Sequence, residues 1–260
     1  MNKKVSFLDD KKKLGIASYK ILKLDSDILG FKTARIESIN TDDSSKRILI
    51  EKLLQSFIKE KIKYATFRLS SKDLQTINLL EEKGFRLVDE YLIFIKEVAR
   101  EEQKKSNSIK IREATLSDSK QLQDDLGATF IYSRFFNDPL IKKDSAIKMH
   151  KIWINNCIEG EAAEKVYVAE VSGECIGFIA VEMDGQNGHI SLIGVSPKYR
   201  GRKISQQLTV HAINNWFIPK GAKLVRIETQ LANIPAARAY ESMGFRLAES
   251  AVTLRWAHET

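Results

Sequence analysis

The tetrapeptide Gly84-Phe85-Arg86-Leu87 returns as Gly244-Phe245-Arg246-Leu247, an offset of 160 in a chain of 260 residues. At that offset, with no gap, the apolar stretch 64–69 falls on 224–229, and the helical stretch 72–83 falls on 232–243. Self-similarity in element order as well as in letters predicts a duplicated supersecondary unit, the N-terminal copy being partial and diverged. Each copy reads strand, helix, strand, helix, Gly-Phe, strand. Helices mixed with hairpin-linked and crossover-linked strands predict an α/β (α+β) fold with a mixed central sheet. The polar run 100–108 predicts a linker (100–107) between a degenerate N-terminal domain, 1–99, and a C-terminal domain, 108–260.

Periodicity supplies the elements. Strands are predicted over 34–37, 64–69 and 91–96, with helices over 45–60 and 72–82. After the linker come a strand over 109–113, a helix over 117–126, an irregular loop around 133–139 and a helix over 144–157. Strands over 166–171, 176–182 and 188–195 precede a helix over 202–217, a strand over 224–229, a helix over 235–243 and a strand over 251–256.

Several function classes are excluded at this level. No apolar run approaches the ~20 residues that span a bilayer, and the basic N-terminus has no apolar stretch behind it, so neither a membrane partner nor secretion is expected. Cys157 and Cys175, with four scattered histidines, form no metal-ligand spacing, so no metal is expected and a reducing cytoplasm is the simplest setting. The net charge of +8 sits mainly in residues 1–107, which hold 23 Lys and Arg against 17 Asp and Glu. Spread over helices where Lys and Glu alternate, that excess reads as solvated faces and not as a nucleic-acid stripe.

One basic cluster stands apart: Lys198, Arg200, Arg202 and Lys203 around Gly201. A strand ends at Val195, Pro197 stops its pairing, and a helix is expected from Arg202. Unpaired N–H groups at such a helix start can hold a pyrophosphate, although a basic loop before an amphipathic helix explains the same letters. Further on, Asn233 precedes Pro235 as an N-cap, and Tyr240 lies two turns later on the same face. A tyrosine of ordinary pKa, ~10, can protonate a thiolate, or it can simply pack beneath a sheet. The repeat serves as an internal control. The N-terminal copy has Leu80 in place of Tyr240, Asp73 in place of Asn233, and an acidic segment in place of the basic loop.

Together these segments resemble the GNAT acetyltransferase superfamily. Asn233, Ala236, Tyr240, Gly244 and Phe245 match its second motif, and Arg200 opens the first, in which Lys203 and Ser205 replace the motif glycines. The resemblance implies acetyl-CoA as cosubstrate, with backbone bonds from Ile193 and Val195 to pantetheine. It implies a pyrophosphate held by Arg200, Gly201, Arg202, Lys203, Ile204 and Ser205, an oxyanion held by a backbone N–H near Val195, and Tyr240 as general acid. Asn233 and Arg246 join the cofactor contacts, although Arg86 in the other copy gives Arg246 an equal structural reading.

Across both halves the chain is similar to acetyltransferases of dTDP-4-amino-4,6-dideoxygalactose. The shared pattern comprises Asp25, Ser26, Gly30, Phe31, Ala34, Arg35 and Ile36, then Ser133, Arg134, Phe135, Asp138 and Pro139, then Trp153, Ile154 and Asn156. That likeness implies a dTDP-linked amino sugar as acceptor. Arg134 would then meet its diphosphate or else pair with Asp138; Phe135 would line the site or else the core. His189 and Glu228 are open as general bases through water. A peptide N-terminus or another small amine is the alternative acceptor, a non-catalytic acyl-CoA-binding protein the alternative role, and a homodimer is possible.

Overall fold

A computed structural model describes residues 2–9, 12–98 and 109–258. The elements run β1 (Asn2–Asp9), β2 (Lys12–Ile21), α1 (Lys23–Leu29), β3 (Thr33–Thr41), α2 (Asp43–Lys59), β4 (Tyr64–Ser70), α3 (Leu74–Glu82) and β5 (Arg86–Glu97). They continue with β6 (Lys110–Glu113), α4 (Ser119–Leu126), α5 (Arg134–Asn137), α6 (Lys143–Ile158), β7 (Lys165–Val171), β8 (Glu174–Asp184) and β9 (Asn187–Val195). The last are α7 (Ile204–Ala212), which passes into a π-helical turn over Ile213–Phe217, then β10 (Leu224–Gln230), α8 (Ile234–Ser242) and β11 (Arg246–Ala257).

The fold is the expected mixture of helices around mixed sheets. Three elements were not expected: β1 and β2, whose charged residues hide the alternation that marks a strand, and the short helix α1. The loop around 133–139 holds one short helix, α5. The linker expected at 100–107 lies outside the described residues.

The chain forms two compact units, Met1–Glu90 with Ser250–Thr260, and Tyr91–Glu249. In the first, β1, β2 and β3 pair antiparallel, β3 runs parallel to β4, and residues 251–257 of β11 pair antiparallel with β4. In the second, residues 91–97 of β5 pair antiparallel with β10, β10 runs parallel to β9, and β9, β8, β7 and β6 follow antiparallel. The division therefore falls inside β5 and β11, and each copy's last strand enters the other copy's sheet.

The repeat holds residue by residue. β4 and β10, α3 and α8, and β5 and β11 begin and end 160 residues apart. Gly84 and Gly244 end the paired helices at φ of 87° and 82°, left-handed values that a side chain resists. The first unit buries Tyr19, Leu49, Leu53, Phe57, Leu80, Phe85 and Leu254 together. The second buries one apolar layer under α7 and α8, containing Ile190, Ile204, Leu208, Ile227 and Tyr240, and another under α4 and α6, containing Leu122, Ile154, Phe178 and Leu192.

Candidate active site

The parallel register between β9 and β10 covers only four pairs, from Asn187–Leu224 to Ile190–Ile227. Beyond them β9 follows β8 while β10 follows β5, so the two strands part. A bulge drives the divergence: Val181 faces Ile190 but Ala180 faces Leu192, leaving Ser191 as the extra residue. Its hydroxyl donates to the Ala180 carbonyl at 3.3 Å. Segment 191–195 thus has ladder partners on its β8 side, while the side toward β10 opens as a cleft. Ile193 and Val195 pack toward the layer under α7 and α8. Gly194 turns to the opposite face, where an added Cβ would stand 3.1 Å from Phe178 and 3.3 Å from both Leu126 and Phe130.

At the end of β9 the chain makes a turn over Pro197–Tyr199 and reaches α7 at Ile204, two residues later than expected. The delay has a backbone cause: Lys203 sits at φ 58°, ψ 25°, in the left-handed region, and Gly201 at φ 78°. The position where the motif carries glycine thus keeps glycine's conformation with a lysine in it. No side chain caps α7, so the amides of Ile204 and Ser205 lie among the first-turn donors that lack an intrahelical acceptor. Lys198, Arg200, Arg202 and Lys203 are exposed around them. Open amides at the positive end of a helix, ringed by cations, fit a pyrophosphate.

The loop is braced from below. The Tyr199 hydroxyl donates to Glu174 at 3.0 Å, the Arg202 guanidinium lies 5.2 Å from the Tyr199 ring centre, and Arg200 Nε donates to the Val195 carbonyl at 3.3 Å. Ile204, 2% exposed, pins the first turn to Gly177, where a Cβ would come within 2.9 Å of the Gly194 carbonyl.

Tyr240 is 5% exposed in the layer shared with Ile190, Ile193 and Ile227, edge-on to Phe94 at 5.7 Å. Burial pushes its hydroxyl well above the ordinary tyrosine pKa, so it stays protonated at neutral pH. Asn233, expected among the cofactor contacts, uses both ends of its amide locally. Its oxygen accepts from the Ala236 amide at 3.4 Å and its nitrogen donates to Thr229 Oγ1 at 3.0 Å. Asp73 caps α3 in the same way, accepting from the Thr76 amide at 3.1 Å, so both copies carry a helix cap here. Arg246 reaches Glu97 at 3.3 Å in an exposed pair.

On the opposite face, Arg134 opens α5 with its guanidinium 3.9 Å from the Phe135 ring centre. Phe135 stands edge-on to His150 at 5.7 Å, and Phe130 stacks on the same imidazole at 5.1 Å. The aromatic group therefore reaches the β9 backbone through Phe130 at Gly194. Glu228 is bound by Arg226 at 2.6 Å, and His189 Nδ1 lies 2.8 Å from Glu182. Glu182, like Phe130, was not singled out from sequence. The hairpin Asp184-Gly185-Gln186-Asn187 was its available signal, since counting outward from an Asp-Gly turn pairs residue 182 with 189. Among the described residues no group of His, Cys, Asp and Glu is placed to hold a metal.

Residues 129–245 match the family model described as the acetyltransferase (GNAT) family. A spore coat polysaccharide biosynthesis protein of Bacillus subtilis is 33% identical over 122 residues, covering 47% of this chain and 42% of that protein. An uncharacterised N-acetyltransferase of Methanocaldococcus jannaschii is 35% identical over 80 residues, covering 31% of this chain and 51% of that one. The match thus spans about half the length of these curated relatives. Among solved structures, a tandem GNAT protein from the clavulanic acid biosynthesis pathway superposes with a TM-score of 0.67 at 10% identity, covering 100% of this chain and 84% of that one. At such identity the likeness is one of fold, and it extends over both halves.

Proposed function

Because the chain belongs, through residues 129–245, to the GNAT acetyltransferase family, we propose that it moves an acetyl group from acetyl-CoA to a primary amine. The acceptor we propose is the 4-amino group of a dTDP-linked amino-dideoxy sugar used in surface polysaccharide synthesis. The observation carrying the reading is Tyr240, buried beside the cleft between β9 and β10 with its hydroxyl held protonated. The relative named for spore coat polysaccharide biosynthesis supports the sugar, as does the pattern of residues shared across both halves.

In this reading the first-turn amides of α7, with Arg200 and Arg202, neutralise the pyrophosphate, and Lys203 adds charge from outside the cradle. The edge of 191–195 that faces the cleft offers amides and carbonyls to pantetheine, and an N–H near Val195 meets the developing oxyanion. The neutral amine attacks the thioester carbonyl carbon. The carbon–sulfur bond then breaks with its electron pair on sulfur, and Tyr240 supplies the proton that makes the free thiol. Arg134, on the face reached by Phe130, is the group for the acceptor's diphosphate, with Phe135 beneath it.

The test is acetyl-CoA consumption with dTDP-4-amino-4,6-dideoxygalactose, other nucleotide-linked amino sugars and peptides, with Tyr240→Phe alongside. Acetylation of the sugar and a rate at least tenfold lower in Tyr240→Phe, at unchanged acetyl-CoA affinity, are expected. Acetylation of peptides alone removes the sugar, and an unchanged rate removes Tyr240 as the acid.

A further inference from the structure

Resting on the acetyl-transfer reading, we infer that β5, the last strand of the copy without an acid, is the positioning element for Tyr240: Phe94 fixes its ring and Lys96 fixes the turn of α8 that carries it. Residues 91–97 of β5 pair with β10, setting Phe94 opposite Ile227 and Lys96 opposite Val225. Phe94, Ile227 and Val225 lie in the buried layer of Tyr240, and side chains alternate along a strand, so Leu92, Phe94 and Lys96 turn to that face. Phe94 meets the Tyr240 ring edge-on, with centres 5.7 Å apart and planes at 74°. Phe245 lies 6.2 Å from the same ring. The tyrosine is thus flanked by two aromatic rings, one from each copy.

At the end of α8, Lys96 Nζ donates to the Met243 carbonyl at 2.6 Å and lies 6.0 Å from the Phe245 ring centre. A cation there satisfies a carbonyl without an intrahelical partner and meets the negative end of the helix dipole. The same turn holds the acid, since the Tyr240 carbonyl accepts from the Met243 amide at 3.0 Å and from the Phe245 amide at 3.1 Å. Tying Met243 to β5 therefore fixes where α8 ends against the sheet, and with it Tyr240 one turn earlier.

The repeat supplies the control. β5 and β11 begin and end 160 residues apart, so Leu254 answers to Phe94 and Trp256 to Lys96. In the first unit Leu254 and Trp256 share a buried cluster with Leu80, the residue at the acid's place, and Trp256 packs on Phe57 at 5.6 Å. Each of these strands enters the other copy's sheet, so the aromatic ring and the cation accompany the tyrosine although they belong to the copy that carries the leucine. A hydroxyl that delivers a proton to sulfur must arrive within hydrogen-bond reach, and a misplacement of about 1 Å can cost on the order of 100-fold in rate. Phe94 and Lys96 are positioning residues in this scheme, acting through Tyr240 alone.

The experiment measures kcat, KM and acetyl-CoA affinity for wild type, Phe94→Leu, Lys96→Met and Leu254→Val, each with and without Tyr240→Phe, using whichever amine of the panel wild type acetylates. Phe94→Leu and Lys96→Met should each lower kcat roughly three- to tenfold, with KM and acetyl-CoA affinity unchanged. In the Tyr240→Phe background the same two changes should cost less than about twofold, because the group they position has lost its hydroxyl. Leu254→Val, the matching change in the first unit, should lower stability and leave kcat at its parent's value in both backgrounds. Wild-type kcat in either Phe94→Leu or Lys96→Met, losses that multiply in full on Tyr240→Phe, or an equal loss in Leu254→Val overturns the assignment while Tyr240 stands as the acid. An unchanged rate in Tyr240→Phe itself removes the acid and the positioning with it. If wild type binds acetyl-CoA but acetylates no amine in the panel, the functional reading falls first.

Discussion

Lys203 carries φ 58° at a position where the backbone needs the left-handed region, and that conformation costs a residue with a Cβ about 1–2 kcal/mol. Lys203→Gly should therefore raise stability by up to about 1 kcal/mol, since glycine also loses more freedom on folding. Urea denaturation measures this. On the proposed amide cradle, acetyl-CoA affinity should change less than a few-fold; a larger loss would make the ammonium itself a phosphate ligand. His150 is the second residue whose surroundings dictate its behaviour. It is buried, donates Nδ1–H to the Ala146 carbonyl at 2.8 Å, and is held below its ordinary pKa mainly by that burial. A base whose folded pKa is depressed is fully stabilising above its unfolded value, ~6.5, and loses that contribution as pH falls, because the unfolded chain takes the proton first. Wild type should thus lose more stability between pH 7.5 and 5 than His150→Gln does, whatever the variant's absolute stability. Parallel slopes of unfolding free energy against pH would show that His150 is not buried as a neutral ring.

At the scale of elements, the repeat alone made three pairs legible in the sequence: β4 with β10, α3 with α8, and β5 with β11. Its limits have physical causes. The start of α7 shifted because a left-handed Lys203 is invisible to periodicity, and α5 is too short to show any. β1 and β2 mix lysine and aspartate into alternation that composition obscures. The caps were half legible. Asn233 stands at a helix start as expected, and Asp73 caps the equivalent helix, so the cap alone does not distinguish the two residues. Asp73→Ala should cost about 1 kcal/mol by the loss of its helix-start bond, and Asn233→Ala at least as much, since it loses its bond to Thr229 as well. Asn233→Ala should leave acetyl-CoA affinity near wild type, as a titration of both variants would show. A marked loss of binding with little loss of stability would return Asn233 to the cofactor site.

For the molecule as a whole, the linker expected at 100–107 lies outside the described residues, and the compact units divide within β5 and β11. Strand membership depends on pairing between residues about 130–140 apart for β5 with β10 and about 180–190 apart for β4 with β11, which local patterns do not encode. What the first unit has kept is more telling than what it has lost. Its β3 and β4 pair in parallel over four positions, Thr33–Tyr64 to Ile36–Phe67, the same length as in the second unit. Its β3 also bulges, since Tyr19 faces Ile36 but Ser18 faces Ser38, leaving Glu37 where the second unit has Ser191. The cleft geometry is therefore present twice. The chemistry differs at the next helix: the Asp42 carboxylate caps α2, accepting from the Ser45 amide at 2.8 Å and from the Ser44 hydroxyl at 2.6 Å. Hydrogen bonds from those two serines hold that carboxyl below its ordinary pKa, so it is charged at neutral pH and occupies the site a phosphate would need. Leu80 stands where the acid would be. Calorimetry should accordingly give one acetyl-CoA per chain, and Arg200→Ala combined with Arg202→Ala should weaken the whole of that binding. A stoichiometry of two, or half the binding sites surviving the double substitution at full affinity, would mean that the first unit still holds the nucleotide despite its acidic cap.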